Sequence, residues 1–452
     1  MVTITFHGGV NEIGGNKILI EDKTKIFLDF GKNFAKEKMY FEEPFIKARE
    51  EAHLLELGIL PCMKGLYEKD EGCCDLGAVF ISHPHTDHYD SIRFLKDHFP
   101  IYCGETAMNI ILAREFAGQS IGEGYTIAKM TQKNGKEIMK DFKPFRTGDI
   151  VRDFSPIEVT PVHVDHSIPG AYGFIVETSG GTIAYSGDIR MHGAKKSMSA
   201  DFIKKAKEAE PDVLIIEGTH IDSSKIESED EVKEKVGKVI SQTTGLVLAG
   251  FAGGDIDRLR TFYDVVKSQG KRLALSMKQA FMVHMLKDDP KLNLFKLNDP
   301  SICIFKKKKK QTREYEKIIE SNYGNNIIDA QDVNRLQKEI VMVASLYDMT
   351  EMTEIRPVTG SVYILSSSEP FDEEMEISFD KLLNWLAHYG IPLYQAHASG
   401  HATPHELKKA IEEIKPKKVF PIHTNRPELF QRFIADIGIN IELPEEGKLY
   451  KF

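Results

Sequence analysis

Long apolar runs are missing from the 452 residues. No stretch approaches the roughly 18 to 20 uncharged apolar residues that cross a bilayer. The N-terminus, MVTITFHGGV, has neither a basic start nor an apolar run followed by small residues. These absences point to a soluble, cytoplasmic protein with no membrane partner. Cysteine is scarce: Cys62, Cys73, Cys74, Cys103 and Cys303 are odd in number and show no CxxC spacing. That excludes a disulfide framework and a zinc-thiolate site, and it fits a reducing compartment. Excess positive charge is missing too, since 59 Lys and Arg stand against 68 Asp and Glu, a net charge of −9. A nucleic-acid coat over the whole surface is therefore excluded, whereas a local basic cleft is not. No internal repeat or low-complexity linker separates one part of the chain from another.

What is present is a globular composition, 41% hydrophobic and 28% charged, with 16 histidines. The length is about three times the usual domain size, so two domains are expected. Short β-rich runs separated by glycine turns fill the first segment. The continuous apolar run Ala78 to Ser82 then opens into HPHTDH and an amphipathic helix expected over Ser91 to Phe99. Strand patterns resume at Ile157 to Val162, Tyr172 to Glu177, Thr182 to Ser186 and Val213 to Glu217. From about Asp222 the texture changes to alternating helices and strands, the pattern of a separate parallel sheet. The run Lys306 to Lys310 in this segment reads first as a solvated face.

His83-Pro84-His85-Thr86-Asp87-His88 is the most informative hexapeptide. HxHxDH arises by chance in roughly one chain in a thousand of this length and composition. Residues two apart on an extended segment point the same way, so His83 and His85 can close on one ion. Asp87 and His88, past the bend, can face a second, and imidazole with carboxylate suits Zn²⁺ ahead of Mn²⁺ or Fe²⁺. Further candidates lie where apolar strands end: His166, Asp188 in AYSGDIR and His423 in VFPIHTN. Asp29 in IFLDFG is a similar strand-end acid, better suited to orienting ligands than to binding.

HPHTDH, with Asp29, His166 and Asp188 in order, resembles the metallo-β-lactamase superfamily. The resemblance implies an α/β fold, an αββα sandwich with a dinuclear site. His83, His85 and His166 would hold one ion and Asp87, His88 and His423 the other, with Asp188 bridging. Glu217 in LIIEGTH, His401 in HASGHA and His423 in PIHTN look like the extra motifs of the β-CASP nucleases, which carry an inserted α/β domain. The implied organisation is a discontinuous metal-binding domain, 1–221 and 372–452, interrupted by a β-CASP domain, 222–371.

Within that group, the HxSGH segment (His397, Ser399, Gly400, His401) together with Ser366, Ser367 and Ser368 is similar to the RNase J family. The family resemblance implies a pocket in which serine hydroxyls and the Ser-Gly-His backbone cradle the 5′-monophosphate of single-stranded RNA. It also implies two Zn²⁺ per chain, with Mn²⁺ an alternative, and a 5′-3′ exoribonuclease that can also cut internally. Glu217 and His401 would join Asp87 and Asp188 as catalytic residues, His401 acting as general acid. Arg258 would contact phosphate, with Arg260 a second candidate. The chain ends soon after His423, as expected of a short, archaeal-type form without the C-terminal domain of longer bacterial relatives. That leaves its oligomeric state, a homodimer among the options, open. Thr424-Asn425 stands where Gly-Glu is common, and Gly253-Gly254 where polar residues are common. An endonuclease of the polyadenylation-factor or DNA-repair type is the alternative. A small-molecule thioester or lactone hydrolase has no use for so large an insert, and a non-catalytic RNA-binding subunit has no need of a full ligand set.

Overall fold

The computed structural model describes all residues except 43–44, 49, 119–127, 132–134, 139, 223–226 and 369–372, with the backbone alone at 128–131, 135–138 and 373–374. The chain forms two units, Met1–Lys225 with Gly400–Phe452, and Ile226–Ser399. The first holds two seven-stranded mixed sheets. In one, the order runs Leu449–Lys451, Thr3–Phe6, Ile18–Glu21, Lys25–Leu28, Leu76–Ile81, Ile101–Gly104, Phe142–Phe145. In the other it runs Asn440–Ile441, Lys418–Ile422, Val213–Glu217, Gly181–Tyr185, Tyr172–Thr178, Ile157–His163, Val151–Phe154.

Side-chain alternation explains why the sheets stack. In the fully buried strand Val213–Glu217, Val213 and Ile215 join the inter-sheet core with Phe6, Phe80, Phe174 and Phe420. Leu214 and Ile216 point the other way, onto Phe202 and Ala206 of the helix Lys196–Glu208 and Leu407 and Ile411 of Pro404–Ile414. Ring pairs Phe6–Phe420 at 5.2 Å and Phe80–Phe174 at 5.9 Å join the two sheets. Each such side chain contributes roughly 1.5–3 kcal/mol by leaving water. The result is the αββα sandwich.

Strand direction then places the polar residues. Lys25–Leu28 runs parallel to Leu76–Ile81, and Gly181–Tyr185, Val213–Glu217 and Lys418–Ile422 are parallel to one another. Asp29, His83, Asp188, Glu217 and His423 therefore all stand at or just past the carboxyl ends of core strands.

One local expectation fails. Instead of a helix over Ser91 to Phe99 there is a short α-helix, Thr86–Tyr89, followed by a 3₁₀ turn, Asp90–Phe94. The carbonyls of Asp87 and His88 accept from the amides of Asn16 and Phe30, and the Ser91 amide donates to the Phe30 carbonyl, so the helical ladder is interrupted here.

The second unit is built on a parallel seven-stranded sheet, ordered Ile327–Ile328, Ile302–Phe305, Arg272–Ser276, Ile340–Val343, Val247–Gly250, Val362–Leu365, Leu393–Gln395. The boundary expected at 371–372 lies outside the described residues. The chain stays in this unit as far as Ser399, because Leu393–Gln395 pairs with Val362–Leu365, Tyr363 opposite Leu393. The lysine run follows Ile302–Phe305 and, as far as Lys309, lines a cavity of about 540 Å³. Three of its members pair with acids of the same unit: Lys306 with Glu320, Lys307 with Asp348, Lys309 with Glu316.

Candidate metal centre

The loops past the strand ends bring the histidines together. Nε2 of His83 and Nε2 of His166 lie 3.0 and 3.1 Å from Nδ1 of His85. Asp188 Oδ2 lies at the centre, 3.5 Å from Nε2 of His83, 3.4 Å from His88, 3.8 Å from His166 and 3.9 Å from His423. His401 Nδ1 is 3.8 Å away. Asp87 Oδ2 stands 3.2 Å from His423 Nε2 and 3.7 Å from His88 Nε2. Two donor groups result, His83-His85-His166-Asp188 and Asp87-His88-His423, with Glu217 and His401 beside Asp188 and His423.

Backbone geometry fixes this cluster. Asp29 and His423 both adopt left-handed φ, +58° and +52°, a strained choice for residues with side chains and one found at functional sites. Gly31 sits where any Cβ would meet the Asp87 carbonyl at 1.6 Å. Only glycine lets that loop close on the HPHTDH turn.

Hydrogen bonds select the imidazole tautomers. Asp29 is fully buried and accepts from the Ser82 amide at 2.7 Å, Ser82 Oγ at 2.8 Å, Tyr185 Oη at 2.6 Å and His88 Nδ1 at 2.7 Å. Burial and Asp29 push the Tyr185 phenol up, which keeps it a donor. Ser82 Oγ, having given its proton to Asp29, takes one from His83 Nδ1 at 3.0 Å. His166 Nδ1 donates to the Gly400 carbonyl at 2.5 Å. In His83 and His166 the second nitrogen is left with its lone pair toward Asp188. On the opposite side, Glu217 is 2.9 Å from His401 Nδ1 and accepts from the Ile189 amide at 2.9 Å and Thr219 Oγ1 at 2.6 Å.

The electrostatics agree. Burial lowers His83 and His166, and pushes His85 down to about 3, so these rings are neutral, the form that ligates. Burial opposes ionisation of Asp188, yet His423, His88 and His83 outweigh it and hold the carboxyl well below its usual range. Burial likewise opposes charge on His88, but Asp188, Asp87 and Asp29 overcome it and raise the ring. That measures how strongly the pocket calls for positive charge. His401 is pushed up to about 9 because Glu217 and Asp188 outweigh burial.

This donor set fits a divalent cation. Four-coordinate nitrogen ligands lie about 3.3 Å apart around such an ion, close to the spacings found among His83, His85 and His166. Among the described residues, buried His88 Nε2 and Asp188 Oδ1 have no hydrogen-bond partner, an arrangement a cation would complete.

The residues expected at the phosphate pocket are arranged differently from the expectation for Arg258. Its guanidinium is fully buried and occupied, donating to Glu229 at 3.0 and 3.3 Å, to the Ser366 carbonyl at 2.7 Å and to Ser366 Oγ at 2.6 Å. It also reaches the Ala398 carbonyl, and His397 Nδ1 at 3.5 Å. Arg258 thus braces the Ser366 and His397 loops and presents no donor outward. Ser366 Oγ donates to the Ala396 carbonyl at 2.5 Å. Ser367 and Ser399 are half-buried and Ser368 is exposed. Arg260 is half-buried, with Nη1 donating to the Leu292 carbonyl. Gly400 packs so closely on Ser167 and His166 that no Cβ fits. The sequence reading assigned nothing to Ser82, Tyr185 or Thr219. Ser82 adjoins HPHTDH and Thr219 lies within LIIEGTH, so adjacency was the one available signal; Tyr185 had none beyond its strand.

Residues 67–240 match the model of the β-lactamase superfamily domain, and residues 393–444 that of a Zn-dependent metallo-hydrolase RNA specificity domain. The chain is 25% identical over 437 residues to ribonuclease J of Mycoplasma genitalium, covering 92% of this chain and 66% of that protein. It is 23% identical to ribonuclease J 2 of Streptococcus pyogenes serotype M3, covering 98% and 74%, and 23% identical to ribonuclease J of Mycobacterium tuberculosis, covering 99% and 72%. The chain thus spans about two thirds to three quarters of the length of these relatives. A solved structure of a protein of unknown function from Enterococcus faecalis V583 shares the fold, with a TM-score of 0.77, 22% identity and 99% coverage of each chain.

Proposed function

We propose that this chain, a member of the β-CASP branch of the metallo-β-lactamase superfamily together with the ribonuclease J proteins, is a metal-dependent ribonuclease. Its substrate would be single-stranded RNA with a 5′-monophosphate, degraded 5′ to 3′, with internal cutting as a second activity. The observation that carries the reading is the convergence of five imidazole nitrogens within 3.9 Å of one carboxylate oxygen, Asp188 Oδ2. His83, His85 and His166 would hold one Zn²⁺ and Asp87, His88 and His423 another, with Asp188 between them and Mn²⁺ as a substitute. Such ions supply Lewis-acid stabilisation of a phosphoryl oxygen and acidify water.

The chain's own residues do the rest. His401, a fifth exposed and held protonated by Glu217, gives its proton to the departing 3′-oxygen. Glu217, fixed by the Ile189 amide and Thr219, holds that imidazole in place. Asp29 orients His88, and His83 through Ser82. The Ser366 to Ser368 and His397 to Gly400 loops would receive the 5′-phosphate, with Ser367 and Ser368 offering hydroxyls and Arg258 bracing the loop behind them. A cytoplasmic location and a homodimer belong to the same reading; no helix among the described residues is long and apolar enough to cross a membrane.

The test uses RNA labelled at a 5′ end bearing monophosphate, triphosphate or hydroxyl. Labelled mononucleotide released mainly from the monophosphate substrate is the expected result. Internal fragments indifferent to the end would favour the endonuclease reading, of the polyadenylation-factor or DNA-repair type. That reading draws support from the Ser366 hydroxyl and Arg258 being occupied within the protein.

A further inference from the structure

We infer that Thr219 is a positioning residue that fixes which nitrogen of His423 faces the ions while bracing Glu217. This inference rests on the metal reading above. A threonine hydroxyl has one proton to give and two lone pairs. Three groups stand around Thr219 Oγ1: Glu217 Oε2 at 2.6 Å, His423 Nδ1 at 2.8 Å and the His423 carbonyl oxygen at 3.2 Å. Two of these are oxygens that only accept, and the nearer, Glu217, takes the proton. The 2.8 Å contact with Nδ1 is then a hydrogen bond only if the imidazole donates. His423 is therefore protonated on Nδ1, and its Nε2 carries the lone pair toward Asp87 and Asp188.

The other tautomer would set two lone pairs against each other at Thr219 and turn an N–H toward the cation position. Backbone placement of His423 does not depend on this hydroxyl, because its amide donates to the Gly9 carbonyl at 2.8 Å. Ring orientation and tautomer do depend on it. The same hydroxyl touches the carboxylate that holds His401, so one side chain serves the proposed acid and a proposed ligand together. Ser82 has the equivalent place between Asp29 and His83. The chain thus uses one arrangement twice, a carboxylate, a hydroxyl and an imidazole in series.

The experiment compares the full chain, loaded with Zn²⁺, as wild type, Thr219→Val and Thr219→Ser. Zinc release is followed during titration with a chelator, and melting is measured in excess chelator. Thr219→Val is expected to release one of two ions at about 10- to 100-fold lower chelator strength and to hold the other as wild type does. Thr219→Ser is expected to restore wild-type release, and all three metal-free chains to melt together. Retention of both ions by Thr219→Val with unchanged affinity would overturn the inference. So would failure of serine to rescue, or a Thr219→Val chain that melts well below wild type without metal. A wild-type chain that binds no zinc would overturn the metal reading itself, and this inference with it.

Discussion

The two sides of the centre are built alike and buried unequally. On one, Asp29 holds His88 directly and His83 through Ser82, and all three charged or ionisable groups are completely buried. On the other, Glu217 holds His401 directly and His423 through Thr219, and His401 is 20% exposed. Desolvation keeps His83 neutral on the first side, while the carboxylates of Asp188, Asp87 and Asp29 raise His88 against it. The second side keeps one imidazole charged and within reach of solvent, as the proposed acid would need. On the proposed reading the same hydrogen-bond arrangement would yield a binding wall and a reacting wall, with access to water making the difference.

That contrast can be broken at the point common to both walls. Asp188→Ala removes the oxygen that five of the rings face, and RNA hydrolysis should fall by about 10⁴-fold or more, with zinc content falling in the same preparation. Retained zinc at full occupancy would show that the walls bind independently of it. The sharper comparison sets His401→Ala against Asp29→Asn. His401→Ala should lower kcat by about 10² to 10⁴-fold with zinc affinity unchanged. Asp29→Asn should instead weaken zinc by about 10- to 100-fold, with activity recovered when excess metal is added. If the two variants behave alike in both assays, the division into binding and reacting walls is wrong.

The smallest effect concerns the loop that feeds the binding wall. Lys17 is fully buried, donates to the Gly15 carbonyl at 3.2 Å, and is pushed down to about 8 chiefly by burial. Because the unfolded chain keeps its lysine proton up to about pH 10.4, it binds more protons than the folded chain above pH 8. Stability should then rise with pH between about 8 and 10.4, while below 8 the buried charge costs on the order of 3 kcal/mol. Lys17→Met should therefore melt higher than wild type at pH 7, and the gap should narrow toward pH 10. A gap that is constant with pH would assign the gain to packing alone.

Legibility in the sequence followed the distance over which each feature is determined. HPHTDH is local, and strand-end placement made His166, Asp188 and His423 stand out before any fold was known, while Glu217 came from the family resemblance. Val213–Glu217 and Tyr172–Thr178 were readable because burial on both faces demands unbroken apolar residues. The helix after HPHTDH was misjudged because the Asp87 and His88 carbonyls before it and its first amide, Ser91, bond to a loop more than 50 residues earlier. Arg258 was expected to contact phosphate because its partner, Glu229, is set by packing rather than spacing and could not be read from the sequence. The serine and threonine hydroxyls were invisible for a related reason: a single proton's direction leaves no trace in composition or periodicity.

The Glu217–His401 bond joins residues 184 apart in sequence, across the whole inserted unit. Closing a chain segment of that length costs about 4 to 5 kcal/mol in configurational entropy, whereas His83, His85, Asp87 and His88 arrive together on six residues. In a chain refolding, or leaving the ribosome, the proposed acid pair is thus among the last parts that can form, because His401 is made only after the insert. A chain assembled in this order would gather His83, His85, His166 and Asp188, the proposed ligands of one ion, before it held the proposed acid or His423 of the other group, and on the proposed reading a partly made chain could not yet cut RNA.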